Sequence, residues 1–318
     1  MSRFSILSKQ DIETLHEATL NLMEDYGVCV FGKEAQEILS GAGCEVDRLT
    51  GRVKFPRNLV NDCIQSAPAK FSFYGRPTKE NPEGKPRDSG SSATFTTFGT
   101  GVMVIDPYTG IRRESTLHDL AEITRFADAI PEVDMITLPV AAQDVTEEIK
   151  ELYEAEALYA NTIKSVAPSA ESGENTKRVL RIAAAVSGGA EALRKRPTLS
   201  IGTCPNSPLE IHESATELII ETVKAGVPCC VLSMGLAGGT TPVTLAGTLL
   251  VTNCEILAGI VLGQVTNKGT PMVYGTSTTI MDLKLMTSPV GAPEHAMISA
   301  AVTELGLYYG IPTDVGGT

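Results

Sequence analysis

Short apolar runs and helix-periodic segments alternate over the last two thirds of the chain. The predicted helices span 116–130, 146–161, 173–187, 209–225, 242–267 and 293–309. The apolar runs between them span 133–140, 162–169, 198–204, 228–235, 271–277 and 312–317. Strands that are apolar throughout and alternate with helices indicate a parallel sheet that is buried on both faces.

Three of the apolar runs begin with a glycine, one residue and a proline. The motif occurs at Gly226-Val227-Pro228, Gly269-Thr270-Pro271 and Gly310-Ile311-Pro312. Its near-constant spacing predicts consecutive parallel βα units. The six runs recur about every 36 residues, so eight repeats would need about 286 residues, which suits a (β/α)8 barrel. A doubly wound sheet is the alternative, but no G-x-G-x-x-G sequence follows a predicted strand. We therefore expect an α/β fold of the TIM-barrel type that is truncated after about six strands.

Residues 1–115 show no such alternation and predict a mixed α+β N-terminal portion packed on the barrel, which would occupy 116–318. Its predicted helices span 8–26, 33–40 and 56–66, and its predicted strands span 71–74, 93–99 and 102–106. The segment Asp47–Gly51 has the composition of a hairpin turn. Thr241 and Pro242 have the residue types of a helix N-cap and first helical position, and predict where the fifth helix of the barrel begins.

The composition excludes several classes of partner. The chain has 318 residues and a net charge of −12, which argues against binding to nucleic acid or to an anionic membrane surface. Polar residues interrupt the longest apolar stretch, 244–265, so we expect no membrane span. The N-terminus lacks the apolar core of a signal peptide, and the seven cysteines include no C-x-x-C pair. A cytoplasmic protein with reduced thiols is predicted.

In a barrel of this type the active site lies at the carboxyl ends of the strands. That rule selects the segments 203–207, 233–241, 274–282 and 315–318. The small-residue loop 235–244 opens a helix and could hold an anion, or could be a well-capped flexible loop. Asp282 follows a hydroxyl-rich segment and could receive a cation, or could be a solvated loop residue.

Other side chains carry groups that could take part in chemistry. Glu294 and His295 open the last predicted helix, where a glutamate is favourable simply because of the helix dipole. Lys164 lies in a predicted strand and could form a Schiff base, although a salt bridge at a strand end is the more common role. The four histidines show no metal-ligand spacing, so no metal site is predicted.

Five segments spread along the chain resemble one known family, the trimethylamine:corrinoid methyltransferases. They are residues 15–28, 98–110, 200–214, 235–250 and 272–318. The resemblance implies a (β/α)8 barrel that removes a methyl group from a methylated amine. It also implies that the methyl group passes to the Co(I) corrinoid of a small partner protein, as in the methylamine metabolism of methanogenesis.

The same resemblance implies where the chemistry lies. In the trimethylamine branch the reactive residue is pyrrolysine, encoded by an amber codon, and it is expected just after Thr318. No catalytic residue is therefore expected within the chain itself. The pocket would hold the N-methyl group with aromatic faces and carboxylates. The candidate substrate-binding residues are Phe98, Tyr274, Ser277, Asp282 and Glu294.

Three alternatives stay open at this point. One is a pyrrolysine-free methyltransferase of the glycine betaine type, and another is an inactive truncated paralogue that only binds the corrinoid protein. A Schiff-base aldolase that uses Lys164 is the third. We expect a homo-oligomer at full length. An incomplete barrel predicts that the 318-residue chain alone is inactive.

Overall fold

The computed structural model describes residues 5–88 and 93–316 and divides the chain into two compact units. The first unit comprises Met1–Ala69, Gly202–Lys224 and Cys229–Thr318. The second unit comprises Lys70–Ile201 and Ala225–Pro228. Residue 115, where the sequence pattern changes, lies inside the second unit.

The helices follow the predicted segments closely. They are α1 (Lys9–Asn21), α2 (Lys33–Gly41), α3 (Arg57–Ser66), α4 (Leu117–Asp128), α5 (Lys150–Asn161), α6 (Gly173–Ser187), α7 (Ala190–Lys195), α8 (Glu213–Ala225), α9 (Leu245–Thr266) and α10 (Pro293–Tyr309). A π-helical turn, Leu22–Tyr26, continues α1. The short helix α7 was not predicted.

The strands are short. They are β1 (Val28–Val30), β2 (Glu45–Val46), β3 (Arg52–Lys54), β4 (Ser72–Tyr74), β5 (Pro86–Asp88), β6 (Met103–Ile105), β7 (Arg112–Glu114), β8 (Met135–Thr137), β9 (Ser165–Ala167), β10 (Ile201–Thr203), β11 (Glu210–Ile211), β12 (Cys229–Ser233), β13 (Leu236–Ala237), β14 (Met272–Thr276), β15 (Thr279–Ile280) and β16 (Thr313–Val315).

The main sheet of the first unit has the strand order β10-β12-β14-β16. Strands β12, β14 and β16 are parallel, and each follows one of the three glycine-x-proline motifs. Helices α8, α9 and α10 connect successive strands of this sheet. The predicted succession of parallel βα units is therefore confirmed here, as is the assignment of the 312–317 run to a strand.

In the second unit β8 pairs parallel with β9, and β6 pairs antiparallel with β7 as a hairpin. The prediction of a strand at 93–99 was wrong, because this segment makes only an isolated bridge from Thr96 to Met135. The fold is mixed α/β, with parallel strand pairs in the βα units and antiparallel pairs elsewhere. Across residues 5–88 and 93–316 the strands do not close into a barrel.

A second sheet of the first unit has the order β11-β1-β3-β2. The predicted hairpin turn is present between β2 and β3, where the amide of Gly51 donates to the carbonyl of Asp47. Gly51 has a φ of 74°, a left-handed conformation that glycine adopts without steric cost. The composition of the turn therefore located this hairpin correctly.

Helix α9 is the central core helix of the first unit. By length and composition it could cross a membrane, but most of its residues are buried inside the unit. Its polar side chains find hydrogen-bond partners. The hydroxyl of Thr248 donates to the carbonyl of Pro242, and the side-chain amide of Gln264 donates to the carbonyl of Thr270. Where α9 crosses β12, a Cβ on Gly259 would lie 2.8 Å from Val231 Cγ1. Glycine is therefore required for this close approach.

Side chains at the helix starts explain several boundaries. Ser8 and Asp11 form a capping box at α1, and Thr116 and Asp119 form another at α4. The prediction that Thr241 caps α9 was wrong, because the cap is Thr244, whose hydroxyl accepts from the amide of Gly247. The hydroxyl of Thr241 instead bonds that of Thr248 at 2.9 Å.

Candidate functional site

The loops that follow the parallel strands of the first unit are joined at the carboxyl edge of the sheet. Strand β13, in the loop after β12, pairs parallel with β15, in the loop after β14. The amide of Ser277 donates to the carbonyl of Ser233, and the amide of Gly235 donates to the hydroxyl of Thr278. These bonds gather the predicted 235–241 loop and Ser277 at one place.

A buried carboxylate stabilises this edge of the sheet through hydrogen bonds. Glu255, on α9, is fully buried and accepts hydrogen bonds from the hydroxyls of Ser207 (2.9 Å) and Ser233 (2.6 Å) and from the amide of Leu209 (2.9 Å). Burial raises the pKa of Glu255, although these three donors act in the opposite direction. One side chain thus ties the loop after β10 to the end of β12.

Tyr274 is fully buried and faces the helices rather than an open pocket. Its hydroxyl donates to Asn253 Oδ1 on α9 at 2.6 Å, and Asn253 Nδ2 in turn donates to the hydroxyls of Thr19 and Tyr309, each at 2.8 Å. Burial raises the pKa of Tyr274 well above its ordinary value. All the polar atoms of the Asn253 amide are engaged, so this cluster fixes how α9 and α10 lie on the sheet.

The opposite face of the same sheet carries Asp314. The register of the parallel pair places Asp314 beside Gly275, and Gly275 beside Leu232 of β12. Neighbouring residues in a parallel ladder point to the same face, whereas successive residues alternate. Asp314 therefore lies on the face opposite Tyr274. It is half-buried, and burial raises the pKa of its carboxyl group.

His295, in the first turn of α10, is buried to 1% exposure, and neither ring nitrogen has a hydrogen-bond partner among the residues the structure describes. A Cβ on Gly316 would lie 2.9 Å from His295 Nε2 and 3.8 Å from Ser277 Oγ. The imidazole, the hydroxyl of Ser277 and the chain leaving β16 are therefore neighbours. Gly317 and Thr318, also expected at this place, lie outside the described residues.

The other predicted substrate-binding residues do not lie together at one place. Asp282 is half-buried, and its Oδ1 accepts from the amides of Lys284 and Leu285, so its carboxylate stabilises its own loop. Glu294 is half-buried in the first turn of α10. Phe98 belongs to the second unit, where its ring is 61% exposed. The structure thus brings Ser277 to the sheet edge and places Tyr274 in the core.

Lys164 has a structural position. Its Nζ donates to the carbonyls of Ala127 and Ile130, at the C-terminus of α4, at 2.9 and 2.7 Å. Burial lowers the pKa of Lys164, while Asp128 opposes that effect. A lysine that satisfies the free carbonyls of a helix end has a sufficient structural role. This placement gives no support to the aldolase alternative.

Sequence reasoning missed two buried glutamates of the second unit, both on α5. Glu154 Oε1 accepts from the amide of Ala142 at 2.8 Å, in the loop after β8. Glu151 accepts from the amide of Glu171, in the loop after β9. Burial raises the pKa of both carboxyl groups. Two glutamates three residues apart on an otherwise apolar helix face are the sequence feature that could have identified them.

None of the seven cysteines forms a disulfide in the structure. In residues 5–88 and 93–316 no group of three or more His, Cys, Asp or Glu side chains is close enough to hold a metal ion. Cys229 and Cys230 are both buried and point to opposite faces of β12.

Comparison with known sequences decides the family. The family model described as trimethylamine methyltransferase (MTTB) matches residues 1–318. The chain belongs to this family. Trimethylamine methyltransferase MttB of Desulfitobacterium hafniense is 46% identical over 98% of the chain, and MttB of Methanosarcina barkeri (strain Fusaro) is 39% identical over 99%. A glycine betaine methyltransferase of D. hafniense is 30% identical over the full chain.

The chain spans 62 to 65% of the length of these relatives. Among solved structures, a dihydropteroate synthase from Coxiella burnetii covers 76% of the chain, and the chain covers 92% of it, with 11% identity and a TM-score of 0.37. A similarity at this level is too weak to assign a fold. The family assignment therefore depends on sequence, and the resemblance found in the five segments is confirmed.

Proposed function

We propose that this chain is the larger part of an enzyme that transfers a methyl group from trimethylamine to the Co(I) corrinoid of a partner protein. The observation that carries the proposal is the whole-chain match to the trimethylamine methyltransferase family, with relatives of that name at 46% and 39% identity. The glycine betaine methyltransferase is the more distant relative, at 30%. A closed (β/α)8 barrel at the length of the relatives and a cytoplasmic location are parts of the same proposal.

The carboxyl edge of the parallel sheet suits this reaction. The corrinoid would supply the cobalt centre that accepts the methyl group, and it would be carried by the partner. Exposed apolar side chains surround the edge and offer a contact surface to a docking protein; they are Met234, Val243, Leu283, Leu285 and Met286. Glu255 would hold the loops of this edge in position, because it bonds both Ser207 and Ser233.

The substrate requires stabilisation of positive charge. When the carbon–nitrogen bond breaks, its electron pair stays on nitrogen. Protonated trimethylamine therefore gives up its methyl group and is released as neutral dimethylamine. Residues at the edge must therefore bind a cation and exclude water while the bond breaks. Ser277 and Glu294 would contact the bound amine. Pyrrolysine after Thr318 stays a prediction, which the codon that follows Thr318 tests.

The test is methyl transfer by the enzyme produced at the length of its relatives. The enzyme is mixed with a reduced corrinoid protein and trimethylamine, and the cobalt absorbance and dimethylamine release are followed. We expect turnover with trimethylamine and little with glycine betaine. Turnover with glycine betaine alone would establish the second candidate function. The 318-residue chain is assayed beside it, and turnover by that chain contradicts the expectation that it is inactive.

A further inference from the structure

The β6–β7 hairpin of the second unit exposes apolar side chains on both of its faces. None of the residues that form its two strands is buried. Val102, Ile105, Tyr108 and Ile111 have exposures between 56 and 96%. The register places Ile105 on one face of the hairpin, and Val102 and Ile111 on the other. A hairpin of two strands is marginally stable by itself in water, so these features indicate an interface.

Strand β7 has a free hydrogen-bonding edge. In the part of the chain that the structure describes, β7 pairs with β6 on one side and with no strand on the other. The amide of Asp106 donates to the carbonyl of Ile111, which marks a hydrogen-bonded pair of the ladder. Because such pairs alternate along an antiparallel ladder, the backbone groups of Arg113 point toward β6, and those of Arg112 and Glu114 point outward. The carbonyl of Glu114 also accepts from the guanidinium of Arg113, which leaves its second lone pair for another donor.

The charges on this edge are self-complementary. Arg112 and Glu114 are both exposed, have opposite charges and lie on either side of Arg113. When two copies of β7 pair antiparallel about a two-fold axis at Arg113, each Arg112 lies opposite Glu114 of the second copy. Opposite charges directly across a ladder stabilise the pair. An edge that carried charges of a single sign would instead repel a second copy.

The arginines at the centre of such a pair do not oppose it. The guanidinium of Arg113 donates to the two carboxylate oxygens of Asp119 at 2.6 and 2.8 Å, and Asp106 Oδ2 lies 3.7 Å from it. Two carboxylates of the same chain therefore balance the charge of Arg113. The two-fold pairing places no uncompensated like charges across the ladder.

We propose that the outer edge of β7 binds a second copy of this chain, with the two β7 strands antiparallel about a two-fold axis at Arg113. The amide and carbonyl groups of Arg112 and Glu114 bond those of Glu114 and Arg112 in the second copy. The two hairpins then form one sheet of order β6-β7-β7-β6, and four strands are stable where two are marginal. The same register places the exposed Ile111 beside the segment around Ser115 of the second copy. This contact is independent of the reaction proposed above.

Charge reversal tests the pairing. Self-association of the enzyme at the length of its relatives is measured by analytical ultracentrifugation over a range of concentrations. Arg112→Glu places two glutamates opposite each other at both pairs, and Glu114→Arg does the same with arginines, so each should weaken association about tenfold or more. The double variant restores opposite charges and should associate like the wild type. Arg181→Glu, at an exposed position on α6, is the control for the change of net charge and should also associate like the wild type.

Disulfide crosslinking tests the register. The two central residues form a non-hydrogen-bonded pair with Cα atoms about 4.5 Å apart, a separation that a disulfide spans. Arg113→Cys should therefore give a covalent dimer with oxidised glutathione, which is reduced as the two thiols are oxidised. Tyr108→Cys, at the tip of the hairpin, lies far from its copy in this pairing and should give no dimer beyond the wild-type background. If Arg113→Cys does not fold, the double variant Arg112→Cys with Glu114→Cys reads the same register from exposed positions.

Several results would overturn the proposed contact. A wild-type enzyme that stays monomeric, or single charge variants that associate as tightly as the wild type, would show that this edge binds no second copy. Weak association of the double charge variant would contradict the pairing of Arg112 with Glu114. Equal crosslinking of Arg113→Cys and Tyr108→Cys would contradict the register. Methyl transfer is assayed separately, and its absence in the wild type rejects the proposed function without affecting this contact.

Discussion

The hydroxyl of Tyr274 donates a 2.6 Å hydrogen bond to the side-chain carbonyl of Asn253, inside the core of the first unit. The bond joins β14 to α9, and the amide nitrogen of Asn253 extends it to Tyr309 on α10. The side-chain amide of Asn253 thus links strand β14 to helices α9 and α10. Because every member is buried, loss of a single partner leaves an unsatisfied polar atom.

Tyr274→Phe should therefore lower the free energy of unfolding by about 1–3 kcal/mol, since Asn253 Oδ1 would keep no donor. Urea denaturation measures the change. Tyr108→Phe is the control, because Tyr108 is 96% exposed, and it should stay within about 0.5 kcal/mol of the wild type. Equal stability of the two variants would show that the hydrogen bond contributes nothing.

Gly259→Ala should destabilise the protein although alanine is the better helix former. The helical preference for alanine is worth about 1 kcal/mol. The added methyl group would lie 2.8 and 2.9 Å from the two γ-carbons of Val231, and overpacking of a core costs about 1–3 kcal/mol. We expect a net loss, measured by chemical denaturation.

Two further variants test that explanation of Gly259. Gly41→Ala, in α2, meets no atom within 4 Å and should be neutral or up to about 1 kcal/mol more stable. Adding Val231→Ala to Gly259→Ala removes the contacting methyl groups, so the double variant should lose less than the sum of the two single losses. Additive losses would contradict the contact.

Glu154→Gln should make the stability less dependent on pH. Burial raises the pKa of Glu154, so between its unfolded and folded pKa values the native state binds more protons than the unfolded state. The contribution of Glu154 to stability is therefore greatest below its unfolded pKa and falls as the pH rises through its folded pKa. Glutamine keeps an oxygen that accepts from Ala142 and carries no charge.

Near pH 7 we expect Glu154→Gln to be as stable as the wild type or more stable, with the difference vanishing near pH 4. Each factor of ten in proton affinity corresponds to about 1.4 kcal/mol. Unfolding free energies measured from pH 4 to 8 test this. Glu156→Gln, exposed on the same helix, is the control and should follow the wild-type profile. A large loss of stability at pH 7 in Glu154→Gln would reverse the predicted sign.

Asp119→Asn should have the opposite pH dependence. Bonds from Arg113 and Thr116 hold the pKa of Asp119 well below its ordinary value. The contribution of Asp119 to the free energy of unfolding is thus present above its unfolded pKa, and it is lost as the pH falls through its folded pKa. We expect a loss of about 1 kcal/mol at pH 7 that disappears toward pH 2. Asp25→Asn, at an exposed position, should show no such difference across the same titration.

Local sequence determined much of the framework. The Ser8 and Thr116 capping boxes, the Asp47–Gly51 turn and the strands after the glycine-x-proline motifs all depend on residues a few positions apart, so the chain specifies them without distant contacts. The start of α9 was misplaced because Thr241 and Thr244 are both suitable caps. The contact of Thr241 with Thr248 belongs to the folded loop.

Only the tertiary structure decided which side chains face the site. Period-two alternation places Tyr274 and Gly275 on opposite sides of β14, but it does not say which side the helices cover. The packing of α9 buries Tyr274 against Asn253 and leaves Asp314 on the other face. The buried bonds of Glu255 and Glu154 likewise join segments distant in sequence. A local pattern can indicate that such a glutamate is buried, but its partner is decided only when the helix packs against the loops.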